Sequence, residues 1–90
     1  MGYQNYPFSV GQQTCTAAAT QIVGANAARS GIIITNTSTT AVYLGEAAVT
    51  TLTGHYLPGV VGASVSLATT SAIYGITAGG SALCTFLQTQ

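Results

Sequence analysis

The side chains able to do chemistry are few enough to take one at a time. Arg29 is the only basic residue, Glu46 the only acidic one, His55 the only imidazole, and Cys15 and Cys84 the only thiols. Acid–base catalysis needs groups poised at matched protonation, and a nucleophile needs a base within hydrogen-bond reach. No carboxylate pair, activated nucleophile or phosphate loop can be assembled from this set, so no catalytic residue is assigned and the chain is not read as an enzyme. A zinc site takes about four ligands. Two cysteines far apart, with no CxxC pair, and one histidine fall short, so neither a metal nor another cofactor is expected. His55 has no carboxylate or cysteine beside it and reads as a surface or packing histidine. The cysteines read as buried free thiols in a reducing cell, with a disulfide tying the first and last strands as the alternative. Asn36-Thr-Ser matches the N-glycosylation triplet, which without secretion through a eukaryotic pathway is a polar turn.

Arg29 and Glu46 bracket the most legible stretch of the chain. They are expected to lie at one end of it and to pair, within a chain or across a subunit boundary. Such a pair, if exposed, contributes about 0 to 1 kcal/mol.

The totals exclude several classes of function. Soluble domains carry about 25% charged residues, whereas this chain of 90 residues has 2% and a net charge of zero. One arginine cannot neutralise a run of phosphates, so nucleic acid is set aside. A membrane span is set aside too, because Gly, Thr and Ser interrupt every apolar run well before the length of about 18 residues that crossing requires. The start, Met-Gly-Tyr-Gln-Asn-Tyr-Pro-Phe, has no basic region followed by an apolar stretch, so export by the general route is not expected. Tyr6 stands where a myristoylation motif wants Ser or Thr. Disorder needs low hydrophobicity with high charge, and this chain has neither. A single domain of this size hides only about 60 to 65% of the surface that its unfolded chain exposes. With a thin core and no net charge to keep copies apart, it suits a permanent assembly.

The elements follow from residue type. Gly31 to Asn36 sets three isoleucines before a threonine, and Ala41 to Leu44 alternates Val42 and Leu44 with Tyr43. Both read as strands, since β-branched and aromatic side chains fit a pleated surface. The small polar residues 36–40 between them predict a hairpin, with Ile32, Ile34, Val42 and Leu44 on one face and Ile33, Thr35 and Tyr43 on the other. Upstream, one strand is expected around residues 14–18, another around 21–25 and a turn at 26–30; a helix over this alanine-containing stretch is the alternative. Downstream come a short strand at residues 49–52, a type II turn at Pro58-Gly59, strands at 63–67 and 72–77, a tight turn at 78–80 and a last strand at 81–88. In that last strand Ala82, Cys84 and Phe86 point inward, while Leu83 and Leu87 point out. Short strands at regular spacing describe an all-β fold, a small antiparallel β-sandwich or barrel.

Residues 1–13 show no periodicity and read as an extended N-terminal arm ahead of a sandwich domain at 14–90, with a frayed tail as the alternative. Three aromatic rings, Tyr3, Tyr6 and Phe8, suit the arm to lie on a neighbouring subunit or a supporting shell. Together with the surplus outward residues Ile33, Tyr43, Leu83 and Leu87, they form the expected subunit or capsid contact.

The pattern Arg29, Ile32-Ile-Ile-Thr-Asn-Thr, Val42-Tyr-Leu-Gly45, Val49-Thr-Thr, Leu57-Pro-Gly59 and Ala72-Ile-Tyr-Gly75 resembles the small β-sandwich domains of tailed-phage virions. Those domains occur in capsid decoration proteins, also called cement or head-fibre proteins, and in some tail-associated modules. The resemblance covers about residues 20–87. It implies a homo-oligomer, a trimer first, made in the host cytoplasm and fixed to the major capsid protein on the capsid exterior, where it stabilises the shell. Such domains usually carry more charge than this one, which favours a largely covered position. The rival reading is a tail or fibre module that binds a host surface glycan on Tyr43, Tyr56 and Tyr74, with Glu46 as the only carboxylate to help.

Overall fold

The computed structural model describes residues 8–89, and among them there is no helix. Eight strands follow one another: β1 (Phe8–Cys15), β2 (Thr20–Val23), β3 (Gly31–Asn36), β4 (Val42–Gly45), β5 (His55–Leu57), β6 (Ala63–Leu67), β7 (Ile73–Ile76) and β8 (Ala82–Thr89). They form two antiparallel four-stranded sheets, a long one in the order β1-β8-β3-β6 and a short one in the order β2-β7-β4-β5. The expected β-sandwich is the fold.

Strand alternation decides what lies between the sheets. Ile32 and Ile34 from β3, Ala82 and Cys84 from β8 and Cys15 from β1 meet Ile22, Val42, Leu44, Leu57 and Ile73 from the short sheet, and all are buried. Ile34 and Val42 have no exposed surface at all. The inward sets read from the sequence for β3, β4 and β8 are therefore those observed. Strand β2 buries two consecutive residues, Ile22 and Val23, because its register against β7 shifts between Gln21 and Val23. Such a bulge sets two residues against one and lets both turn inward.

The predicted hairpin at residues 36–40 does not form. Strand β3 lies in the long sheet and β4 in the short one, so the chain crosses the core instead of turning back beside itself. Ile33 and Tyr43 consequently point out of opposite surfaces of the sandwich. Asn36, with no exposed surface, shapes the crossing. Its Nδ2 donates to the carbonyls of Thr40 at 2.9 Å and Pro58 at 3.0 Å, and its Oδ1 accepts from the Ser38 N–H at 2.9 Å and the Ser38 hydroxyl at 2.8 Å. These bonds replace the ladder contacts of a hairpin, and the sequence pattern of small polar residues is the same for both turns.

Three other expectations need correction. Residues 49–52 form no strand: β4 and β5 are joined by a loop in which Val49 is buried and Leu52 is exposed. Pro58-Gly59 is not a type II turn, which needs a positive φ at its glycine; only Gly62 (φ 96) and Gly80 (φ 79) have one among the described residues. Gly59 instead lies against the β3–β4 crossing, where a Cβ would run into the Thr39 carbonyl and the Ala41 nitrogen. Finally, the arm boundary at residue 13 is too late. Residues 8–13 belong to β1, which pairs with β8 in unbroken register from Phe8↔Thr89 to Cys15↔Ala82. Gly11 in this strand sits directly across from Phe86, whose ring occupies the place of a Cβ and covers the backbone.

Replacing Asn36 by Ala takes the Nδ2 donor from the Thr40 and Pro58 carbonyls and the Oδ1 acceptor from the Ser38 amide. Unfolding in urea should show a loss of about 3 kcal/mol, with the slope of the transition unchanged.

Candidate functional site

The outer face of the long sheet gathers five of the exposed apolar side chains, while Leu52, Tyr56, Val60 and Val61 are exposed elsewhere. Register places Val10, Leu87 and Ile33 side by side in one rung, and Gln12, Thr85 and Thr35 in the next. The two rungs border a shallow trough of about 590 Å³. Val10 is 67% exposed, Ile33 44% and Leu87 37%, and Phe8 and Leu83 add exposed apolar surface on the same face. No charged side chain lies on any of the four strands of this sheet. Four of the residues expected to make a contact, Phe8, Ile33, Leu83 and Leu87, are thus brought together. Val10 was missed; Phe8, Val10, Gln12 and Thr14 alternate on one face, but Ser9, Gly11 and Gln13 on the other carry no apolar signal that would mark a strand. Tyr3 and Tyr6 lie outside the described residues.

Tyr43 belongs elsewhere. It projects from the outer face of the short sheet and packs on Tyr56 with ring centroids 5.5 Å apart and an interplanar angle of 52°. On the same face the Tyr74 hydroxyl donates to Gln21 Oε1 at 3.1 Å.

Arg29 and Glu46 do not pair within the chain. Arg29 is buried and gives its donors to backbone: Nε to the Thr69 carbonyl at 2.7 Å, Nη1 to the Gly24 carbonyl at 3.1 Å, and Nη2 to the Ser71 carbonyl. A further bond from Nη1 reaches Gln88 Oε1 at 3.1 Å. The guanidinium therefore ties the β2–β3 and β6–β7 crossings to β8, a task its planar fork suits. Glu46 is exposed; with His55 it borders a largely apolar cleft of about 320 Å³ between the sheets, walled by Leu44, Val65, Leu67 and Ile73.

Cys15 and Cys84 are buried, unbridged thiols on the inner face of the long sheet. Cys84 faces Gln13 across the ladder and Cys15 faces Ala82, so the thiols are diagonal neighbours. The hydrogen bond between them, and burial after it, push Cys84 well above the ordinary thiol range. Such a thiol carries no thiolate to attack or ligate with. Among the described residues no three metal-ligating side chains come together.

Compared with known protein families the chain matches none, and no curated protein or solved structure matches it either.

Exchanging Arg29 for Met leaves the carbonyls of Gly24, Thr69 and Ser71 without their donor and should lower unfolding stability by about 3 kcal/mol or more. Arg29→Lys should rescue little of it, because a point ammonium cannot span those acceptors. Glu46→Gln, at an exposed position, should stay within about 0.5 kcal/mol of the parent in the same denaturant titration.

Proposed function

We propose that this protein is a structural subunit that associates with copies of itself and covers the outside of a tailed-phage head as a decoration or cement protein. The observation that carries the reading is the outer face of the long sheet: five exposed apolar residues, Phe8, Val10, Ile33, Leu83 and Leu87, with no charge among them. Burying a Leu or Ile side chain contributes roughly 1.5 to 3 kcal/mol, so a few from each copy can hold an assembly together. An exposed apolar patch rimmed by polar residues, as the Val10–Leu87–Ile33 rung is by Gln12, Thr85 and Thr35, marks places where proteins meet. The shell as the partner comes from the resemblance to virion β-sandwich domains, as does the major capsid protein as the surface bound.

A host-glycan module is the second reading, favoured by the Tyr43–Tyr56 pair on the opposite surface. Against it, the only carboxylate borders the cleft between the sheets and not that aromatic platform. Saturable binding of host surface polysaccharide, lost on Tyr56→Ala, would move the assignment to it.

Light scattering of the purified protein should give the mass of an oligomer, and the protein should sediment with phage heads in a density gradient. Ile33→Lys and Leu87→Asp should each abolish head binding while keeping unfolding stability within about 1 kcal/mol. A parent protein that stays single at millimolar concentration and ignores heads would overturn the proposal.

A further inference from the structure

A sheet margin carries a row of unpaired N–H and C=O groups, and proteins blunt such margins with short strands, bulges, prolines or charges. Three of the four margins here are treated in that way. Strand β2 has four residues and a bulge, β5 has three and runs directly into Pro58, and β6 has five and starts just after the left-handed Gly62. Strand β1 is the exception. It has eight residues, no bulge, no charge and no proline within it, although Pro7 directly precedes its first residue. Alternation directs both backbone groups of every second residue to the open side, about four N–H and four C=O in all. Among the described residues, no backbone group outside β8 bonds to residues 8–14. Nor does the short sheet cover the strand: Phe8, Ser9, Val10, Gln12, Gln13 and Thr14 are all exposed.

We propose that β1 pairs antiparallel with β1 of a second copy across a two-fold axis, joining two long sheets into one eight-stranded sheet. A strand set beside itself by a two-fold axis normal to the sheet is antiparallel by construction, and an uncharged strand meets no like charge in doing so. The same axis keeps both outer faces on one side, so the Val10–Leu87–Ile33 rungs of the two copies extend one apolar surface. Residues opposite each other share a face, which requires the axis to pass through a residue pair. The registers of greatest overlap are centred on Gly11 or on Gln12. In the second, Gln12 faces its own copy directly; in the first it is the diagonal neighbour, still in reach of a long side chain. The pairing rests on the self-association in the proposed function and is independent of the shell. It also replaces the trimer that the resemblance implies with an even number of copies.

Charge at position 12 tests it. Gln12→Lys and Gln12→Glu should each fold and run as single copies, and an equimolar mixture should restore the parent dimer mass in light scattering. Hydrogen exchange should show alternate amides within residues 8–14 slowed at least about tenfold in the dimer relative to either variant alone. A trimer mass, or a dimer that survives in both separate variants, would overturn the β1 pairing and leave the head-coating reading standing. So would a parent protein that stays single while an extended peptide from another protein protects these amides. A dimer with the expected exchange pattern but no affinity for heads would do the reverse.

Discussion

Six crossings between the sheets set the problem that this chain has to solve. Every connection except the one from β4 to β5 leaves one sheet and enters the other, so the backbone groups in those turns have no hairpin ladder to join. Buried carbonyls and amides left without partners would each cost about 1 to 3 kcal/mol. The three buried polar side chains among the described residues sit where this cost arises: Arg29 at the β2–β3 crossing, Asn36 at β3–β4 and Thr77 at β7–β8. Each bonds to backbone beyond its own strand, Thr77 through its hydroxyl to the Gly80 carbonyl at 3.0 Å. Through their partners, Arg29 also reaches the β6–β7 turn and Asn36 the end of β5. The sandwich is thus pinned at its turns by polar side chains and filled between them by a single layer of aliphatic ones.

This arrangement explains why a chain with so little charge places its one arginine out of water. A guanidinium bonded to several carbonyls satisfies more acceptors than any neutral side chain can, and its charge is spread over backbone dipoles instead of a carboxylate. The exposed surface is left with hydroxyls, amides, Glu46, His55 and apolar residues, five of which share the outer face of the long sheet. Fold and proposed assembly then follow from one economy of composition, in which polar groups close the turns and apolar groups are left over to be covered.

Much of this was legible in the sequence. The β-branched runs at residues 31–36 and the alternation at 81–88 announce both the strands and the faces they turn inward, because a half-buried strand has to alternate. The topology was not legible. Asn36-Thr-Ser-Thr-Thr suits a hairpin and a crossing equally well, and only the bond from buried Asn36 to the Pro58 carbonyl, distant in sequence, distinguishes them. The first half of β1 was hidden for a related reason: as an edge strand it packs little, so Ser9, Gly11 and Gln13 bear no core signature, and its place is fixed by pairing with residues far along the chain. The role of Arg29 was obscured by its being one of only two charges, which made Glu46 the obvious partner when the real ones were main-chain oxygens.

The position of β8 in the middle of the long sheet, between β1 and β3, has a consequence for synthesis. Strand β1 has to wait until β8 has been made before it finds its neighbour, since among the described residues no other strand offers it a ladder. Until then, the long uncharged segment 8–15 and the edge of β3 that β8 will pair remain open to other nascent chains. Pairing between sequence-distant strands is slow and exposes such segments while it proceeds. Crowded polysomes making this polypeptide therefore face their hazard in the interval before β8 has been made.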